Sequence, residues 1–212
     1  MSALNKSKPK LLLGTGNQKK LKELEELLRG IPFERVSLRD FPDVREIVED
    51  GRTFQENAIK KAIGLAQQTG LLALGEDSGL VVEALEGAPG VYSARFAGPE
   101  KDDFKNCEKV LRLMEKMPDT CRGGALVSAV AIASPEALIG VVEGEVRGGI
   151  AREMRGSGGF GYDPLFLYGP YGGKTFGEVS AEMKYRVSHR AQAVQKARKI
   201  LEDYAKMHAS NF

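Results

Sequence analysis

The feature that most constrains the fold is a short apolar strand that runs directly into a polar loop and an amphipathic helix. The segment Lys10–Gly14 is mostly leucine, which predicts a buried strand. Residues 17–29 then place leucines at positions 21, 24, 27 and 28, the spacing of one helical face. The chain therefore opens as a β-loop-α unit, which is a building block of α/β folds.

Helix-like and strand-like segments continue to alternate behind this unit. A second helix is predicted to start at Thr53, which forms a capping-box pattern with Glu56, and to stop near Gly70, a residue typical of helix ends. The further predicted elements are strands at 71–74 and 80–82, a helix at 103–117, a hairpin of 125–133 and 138–146 turned around 134–136, a strand at 165–168 and a helix at 188–204. With no repeat and no clear linker, the pattern predicts one α/β domain with a mixed sheet at residues 10–212, behind a flexible tail at residues 1–9.

Composition excludes several classes of function. The 31 Lys+Arg and 29 Asp+Glu leave a net charge of +2, which is too little for a general nucleic-acid binder. No segment approaches the ~20 apolar residues that cross a membrane, and the start of the chain lacks the apolar run of a signal peptide. Cys107 and Cys121 lack zinc-site spacing, so we expect ordinary thiols in a reducing compartment. These features predict a soluble cytoplasmic protein without nucleic-acid or membrane partners.

Two predicted helices begin with cations, where the helix dipole favours anions. The first-turn cations are Lys19, Lys20 and Lys22 in one helix, and His189 and Arg190 behind the N-cap residue Ser188 in the other. The first arrangement makes sense if residues 14–17 expose backbone N–H groups to a bound anion. Solvated surface cations beside capped helices remain the alternative interpretation.

Carboxylates and glycines mark two further segments. Glu76-Asp77-Ser78-Gly79 is predicted at a strand end and offers the hard oxygen ligands that Mg²⁺ prefers, to which Glu46, Glu49 or Asp50 could add another. Lys60 and Lys61 fit solvated surface lysines, but one of them could face the phosphates of a bound ligand. A helix- or turn-capping role for the carboxylates also stays open. Phe160 lies in the glycine-dense loop 156–161, where it could stack on a planar ligand or point into the core.

Six ordered motifs together resemble the inosine triphosphate pyrophosphatase family, from residue 12 to about residue 201. The motifs are Thr15-Gly16-Asn17 with Lys20, Thr53-Phe54 with Glu56-Asn57-Ala58, Asp77-Ser78-Gly79-Leu80, Gly87 with Pro89-Gly90 and Tyr92-Ser93-Ala94-Arg95, Gly158-Gly159-Phe160-Gly161-Tyr162-Asp163-Pro164, and Ser188-His189-Arg190. The resemblance implies hydrolysis of a non-standard purine nucleoside triphosphate (ITP, dITP or XTP) to the monophosphate and pyrophosphate. It also implies an elongated mixed sheet surrounded by helices, two lobes with a cleft between them, and a homodimer.

The resemblance also implies roles for individual residues. The substrate-binding residues that it implies are Thr15, Gly16, Asn17, Gln18, Lys19, Lys20, Lys61, Ser78, Phe160, Gly161, Tyr162, Asp163, Lys184, His189 and Arg190. Within this set, Phe160 stacks on the base, which Lys184, His189 and Arg190 surround. Asp77 is the implied catalytic carboxylate and holds Mg²⁺ together with Glu49.

One departure and two alternatives accompany the resemblance. Many relatives carry an Asp-Asp pair where this chain has Glu76-Asp77, so Glu76 is not placed among the site residues. The residues also leave open a pyrophosphatase acting on other modified nucleotides, and a non-catalytic nucleotide sensor. Retention of Asp77, Glu49 and the lysines favours an enzyme over a sensor.

Overall fold

The computed structural model describes residues 8–208 as a seven-stranded sheet surrounded by helices. The strands are β1 (Lys10–Gly14), β2 (Glu34–Ser37), β3 (Leu72–Val82), β4 (Gly123–Ala133), β5 (Leu138–Ile150), β6 (Phe166–Tyr168) and β7 (Lys174–Thr175). The α-helices are α1 (Gln18–Leu27), α2 (Phe54–Thr69), α3 (Asp103–Leu113), α4 (Ala181–Val187) and α5 (His189–Met207). Most of the predicted tail, residues 1–7, lies outside the described residues, whereas the Pro9 carbonyl already accepts from the Glu34 amide at 2.9 Å.

The sheet is mixed, as predicted. Its strand order is β2-β1-β3-β4-β5-β6-β7; β1 pairs in parallel with β2 and β3, and the remaining neighbours are antiparallel. The β1–β3 pairing ends where Gly14 lies beside Gly75. Because β3 continues to Val82, its second half has β4 as a ladder partner but extends past the end of β1.

The predicted strands at 71–74 and 80–82 form one continuous strand instead. Each residue from Ala73 to Val82 pairs with β4 in an antiparallel ladder, so the strand continues without a break through the polar residues between them. Glu76 and Asp77 therefore lie inside β3, and the prediction that they stand at a strand end was wrong. The strand that ends beside them is β1.

Alternating residues of β3 point into different cores, as strand geometry requires. Leu72 and Leu74 pack in a cluster with α1 and α5, whereas Ala73 packs with α2 on the opposite face. A third cluster contains Leu80, α3 and β6. The first two clusters lie on the two faces of the sheet around β1, and the third lies around β6. The molecule therefore has two lobes joined by β3, β4 and β5, as the family resemblance implied.

The helix caps explain which boundaries were predictable. Thr53 caps α2 by accepting from the Glu56 amide at 3.1 Å, and Gly70 ends the helix in the left-handed conformation. The Glu56 carboxylate accepts from Arg52 rather than from Thr53, so the predicted capping box is only half formed.

Other helix boundaries differ more from the prediction. Helix α3 ends at Leu113 instead of residue 117, before Pro118, which disfavours helical geometry in the residue preceding it. Helix α5 begins behind its predicted N-cap, Ser188, and continues to Met207. No helix within residues 8–208 is long and apolar enough to cross a membrane.

Candidate active site

A cleft of about 660 Å³ opens beyond the carboxyl end of β1, between the two lobes. Its volume is within the range of small-molecule sites. Of the predicted site residues, those lining the cleft are Thr15, Gly16, Asn17, Lys20, Glu49, Lys61, Asp77, Ser78, Phe160, Gly161, Tyr162, Asp163, Lys184, His189 and Arg190. Gln18 and Lys19 are the two that do not line it.

The loop between β1 and α1 is organised by Asn17. Its side-chain oxygen accepts from the amides of Lys19 and Lys20, at 2.9 and 3.2 Å, and its own amide donates to the Thr15 hydroxyl at 3.2 Å. Asn17 thereby caps α1 and satisfies two of the orphan donors at its start. An anion bound here would have to use the donors that precede Lys19, together with the side chains of Thr15 and Lys20.

Two lysines reach β3 from opposite faces of the sheet. Lys20, from α1, lies 2.9 Å from a Glu76 carboxylate oxygen. Lys61, from α2, lies 2.9 Å from the Glu49 carboxylate and donates to the Glu76 carbonyl oxygen at 2.9 Å. Helix α2 can approach so closely because Gly75 has no side chain, whereas a Cβ at this position would collide with the Ala58 carbonyl oxygen.

Asp77 is a buried carboxylate whose orientation is fixed by two neutral donors. Asn57 donates to one of its oxygens at 2.9 Å, and the Ser78 amide donates to the other at 2.9 Å. The Asn57 oxygen accepts in turn from the Gly51 amide at 2.7 Å, which sets the direction of the side-chain amide. Burial raises the pKa of Asp77, although Lys20 and Asn57 oppose the shift. The carboxylate is thus a better proton acceptor than an exposed aspartate.

Glu76, which the sequence analysis left out of the site, is fully buried beside it. One carboxylate oxygen accepts from Ser128 at 2.9 Å and from Arg190 at 3.1 Å, and the other pairs with Lys20. Burial alone would raise its pKa, but Arg190 and Lys20 together hold the pKa well below the usual value. The charge of Glu76 is therefore already balanced by two cationic side chains, whereas the direct donors to Asp77 are neutral, so Glu76 is less suited than Asp77 to bind a metal.

A chain of buried charges links the two sides of the cleft. Glu23 pairs with Lys184 at 2.8 Å and also with Arg190, and Lys184 contacts Asp163. With Glu76 and Lys20 these groups form an alternating series of anions and cations, so each buried charge has a partner of opposite sign. Glu23 was not among the predicted site residues, because its partners lie 161 and 167 positions away in the chain.

Phe160 lies over the cations of the cleft and does not point into the core. Its ring centroid is 4.8 Å from the Lys184 ammonium and 5.3 Å from the Arg190 guanidinium carbon. Tyr162, by contrast, packs in the core with α3 and donates its hydroxyl to the Ser93 carbonyl oxygen at 2.8 Å. Asp163 accepts from the Phe160 amide at 2.8 Å, and its pKa is raised by burial against the influence of Lys184.

His189 and Arg190 differ in how many of their side-chain nitrogens remain free to bind a ligand. The His189 side chain is buried, its Nδ1 has no hydrogen-bond partner within residues 8–208, and burial together with Arg190 holds its pKa well below the usual value. The imidazole is therefore neutral, with one ring nitrogen unpaired. Arg190 bonds to Glu76, Glu23 and, at 2.8 Å, to the Ser78 hydroxyl, so most of its donors are already used.

The two site residues outside the cleft lining have other partners. Gln18 donates to the Gly16 carbonyl oxygen at 3.3 Å, and the exposed Lys19 ammonium lies 3.6 Å from the Asp103 carboxylate. Within residues 8–208 no group of three or more His, Cys, Asp or Glu side chains could hold a metal ion. An ion bound by Asp77 and Glu49 would thus need further ligands of another kind, such as carbonyl, water or phosphate oxygens.

Comparison with known proteins gives a consistent set of similarities. Residues 11–200 match the model of the Ham1 family. The chain is 52% identical over 192 residues to a dITP/XTP pyrophosphatase of Desulforamulus reducens, covering 91% of this chain and 95% of that protein. It is 47% identical over 185 residues to a dITP/XTP pyrophosphatase of Geobacter sulfurreducens, covering 87% and 92%.

Solved structures agree with the sequence comparison. A HAM1 protein from Coxiella burnetii superimposes with a TM-score of 0.83 at 39% identity, covering 92% of this chain and 99% of that one. The Ham1 protein of Staphylococcus aureus superimposes with a TM-score of 0.81 at 33% identity and the same coverage of 92% and 99%.

Proposed function

The chain belongs to the Ham1 family, and from that premise we propose that it hydrolyses non-standard purine nucleoside triphosphates, dITP, XTP and ITP, to the monophosphate and pyrophosphate. Its relatives at 52% and 47% identity are dITP/XTP pyrophosphatases. The structural observation that carries the proposal is the combination of Asp77, a buried carboxylate with a raised pKa, with two lysines in one cleft. Such a cleft suits a polyanionic substrate that must be attacked by water.

The phosphate-binding residues that we propose come mainly from the β1–α1 loop. Thr15, Asn17 and Lys20 lie at the start of α1, and Lys61 and Ser78 line the same cleft. They offer hydroxyl, amide and ammonium groups, which neutralise and orient phosphate oxygens. Because catalysis of phosphoryl transfer consists mostly of positioning and charge neutralisation, these residues hold the two terminal phosphates as a leaving unit.

The base-binding side of the cleft is proposed to consist of Phe160, Lys184, His189 and Arg190. Phe160 is partly exposed in the cleft and can stack on a purine. The unpaired Nδ1 of His189 can bond to a base edge if substrate supplies the partner. Arg190 has few free donors, so we assign to it chiefly the support of Ser78 and Glu76.

In the proposed reaction, the oxygen of a water molecule forms a bond to the α-phosphorus while the bond from that phosphorus to the β-bridging oxygen breaks. Pyrophosphate leaves with the bonding electrons, and Asp77 accepts the water proton. The hydrogen bond from Asn57 holds the Asp77 carboxylate in a fixed orientation. The residues fit a Mg²⁺ ion held by Asp77 and Glu49, since both are hard oxygen ligands lining the cleft. Bound there with the phosphates, the ion supplies further neutralisation of their charge.

We also propose that the protein is a homodimer in the cytoplasm and has no nucleic-acid partner. The contact that we propose for the dimer is the segment at 87–95, in which Tyr92 is 60% exposed. Light scattering of wild type and of Tyr92→Arg measures the oligomeric state. A wild-type dimer that becomes a monomer in Tyr92→Arg supports the proposed dimer contact. A wild-type monomer contradicts the proposed dimer.

The function is tested by an early time course with dITP, XTP, ITP, GTP and ATP at matched concentrations. We expect the first three to give monophosphate and pyrophosphate in one step, only with a divalent metal. Diphosphate and orthophosphate as first products, or turnover undiminished by excess EDTA, would contradict the proposed reaction. Equal turnover of ATP and GTP would contradict the proposed substrate class.

A further inference from the structure

Gly161, next to the stacking residue Phe160, has both of its backbone polar groups held by one face of α3. Its amide donates to the Asp103 carboxylate at 3.0 Å, and its carbonyl oxygen accepts from the Cys107 thiol at 3.3 Å. Asp103 and Cys107 are one helical turn apart and so project on the same side of α3. The chain at Gly161 has a φ of +59°, a conformation that glycine tolerates and that these two contacts hold.

The contacts at Gly161 bear directly on the position of Phe160. The Phe160 amide is held by the Asp163 carboxylate at 2.8 Å, so the peptide groups on both sides of this residue are anchored. With its backbone fixed, the ring remains over Lys184 and Arg190 at the cleft wall. Without the α3 contacts, this turn would be held only by the two bonds between Phe160 and Asp163, and the backbone that carries the ring would be less firmly fixed.

The two contacts from α3 differ in their chemistry. Burial, together with Asp103 and Asp163, raises the pKa of the Cys107 thiol to about 12, so the thiol stays protonated and donates. Asp103 is partly exposed and has a second partner, the Lys19 ammonium at 3.6 Å. That ion pair is solvent-exposed and individually weak. Lys19 nevertheless contacts Asp103 and does not line the cleft, where the family resemblance would place it.

We propose that Asp103 and Cys107 are positioning residues for base recognition, which hold Gly161 so that Phe160 is preorganised to stack on the substrate. The inference rests on the proposed function, because it assigns a purpose to the order of this loop. Lys19 acts as a counter-ion of Asp103 and does not bind substrate. Preorganised contacts strengthen binding by removing the cost of ordering the loop. The phosphate groups bind elsewhere in the cleft, so loss of Asp103 raises KM more than it lowers kcat.

The decisive comparison is Asp103→Ala against Asp102→Asn. Asp102 is the N-cap of α3 and accepts from the Lys105 amide at 3.1 Å; asparagine preserves that cap, so this control removes a neighbouring charge without touching Gly161. Hydrogen exchange of residues 158–163 is measured in the substrate-free protein, and KM and kcat are measured with dITP. We expect Asp103→Ala to accelerate exchange and raise KM about tenfold, as loss of a bond to a charged acceptor predicts, and Asp102→Asn to resemble wild type.

Further variants separate positioning from general destabilisation. Asp103→Asn retains an acceptor oxygen and should recover most of the KM, and Cys107→Ser retains a donor where Cys107→Ala does not. Lys19→Met should change KM by less than about twofold, because exposed ion pairs contribute little. Circular dichroism shows whether Asp103→Ala folds. If it does not, Asp103→Asn is compared with Asp102→Asn, and we expect the higher KM for Asp103→Asn. Cys107→Ala is compared in the same way with Cys107→Ser, and we expect the higher KM for Cys107→Ala.

Several outcomes overturn the inference. Exchange in 158–163 that matches the Asp102→Asn control, or a fall in kcat with unchanged KM, shows that Asp103 does not position this loop for binding. A tenfold rise of KM in Lys19→Met makes Lys19 a substrate ligand. If wild type leaves dITP intact, the proposed function fails, and faster exchange in Asp103→Ala still supports the α3 contacts as the hold on Gly161.

Discussion

The carboxylates of Glu76 and Asp77 are adjacent in sequence but project from opposite faces of β3, and their pKa values shift in opposite directions. Glu76 faces α1 and α5, where Arg190 and Lys20 overcome the effect of burial and lower its pKa. Asp77 faces α2, where burial outweighs Lys20 and the neutral donor Asn57 and raises its pKa. Two neighbouring acids thus acquire different properties from their surroundings: the pKa of Glu76 is lowered, and that of Asp77 is raised, which suits the role of proton acceptor that we propose for it.

Asp77→Asn should remove most turnover and leave nucleotide binding largely intact, since the amide keeps the shape and loses the charge. General-base losses of this kind correspond to roughly 10²–10⁴-fold in rate. Pyrophosphate release and calorimetric binding of dITP are compared with those of Asp50→Asn, a control at an exposed carboxylate that pairs with Lys60. Turnover of a folded Asp77→Asn protein within a few-fold of the control would exclude Asp77 as the catalytic carboxylate.

The acid limb of the pH profile should depend on Asn57. The proposed base works as a carboxylate, so kcat/KM rises with pH through the raised pKa of Asp77 in the free enzyme. The Asn57 hydrogen bond lowers that pKa, so Asn57→Ala raises it further and moves the acid limb to higher pH. Profiles with dITP are measured beside Gln55→Ala, which removes another α2 side chain. An acid limb that stays in place, or moves to lower pH, contradicts this role.

Glu76→Gln should be strongly destabilising because it leaves the buried guanidinium of Arg190 and the ammonium of Lys20 short of a counter-charge. Breaking a buried ion pair in this way costs about 3–5 kcal/mol in the free energy of unfolding. The matched control is Glu83→Gln, whose partner Arg147 is 3.5 Å away on the surface, and whose expected cost is less than about 1 kcal/mol. Urea denaturation at neutral pH measures both, and equal costs would show that the buried series is not a stabilising unit.

His189 should make the protein less stable as the pH falls below about 6.5. Its folded-state pKa lies well below the ordinary value of 6.5, so on acidification the unfolded chain binds a proton first. The stability contributed by the neutral imidazole is complete above that value and is lost as the pH falls toward the folded pKa, by up to about 1.4 kcal/mol per pH unit. Glu76 acts in the same sense only below its ordinary value of 4.5.

The test is the difference between wild type and His189→Gln, because Asp77 and Asp163 have raised pKa values and act in the opposite direction. Denaturant unfolding is measured between pH 5 and pH 7.5, and the wild-type free energy should fall more steeply on acidification than that of the variant. Parallel curves would mean that His189 has the same pKa in the folded and the unfolded protein, which contradicts the lowered pKa.

The local elements of this protein follow from local patterns in the chain. The leucine spacing of α1 and the caps of α2 at Thr53 and Gly70 are decided within one or two helical turns, and the structure has them where the pattern predicts. The cleft residues were available for a different reason: ordered family motifs name them without any knowledge of their contacts. The short elements β2, β7 and α4 were missed because they span too few residues to show a period.

Tertiary structure alone decided how these residues act together. Polar residues 76–79 interrupt the apolar pattern and predicted a break, yet β4 pairs along their whole length and makes one strand. That strand separates Glu76 from Asp77 by the alternation of its side chains. The partners that lower their pKa values also lie far along the chain: Arg190 is 114 positions from Glu76, and Asn57 is 20 positions from Asp77. The sequence by itself determined the longer helices and their caps, because these depend on neighbours along the chain, and its ordered motifs identified most of the predicted cleft residues. Only the folded sheet decided which of the two acids has a lowered pKa and which a raised one, because a pKa depends on burial and on charges brought close in space.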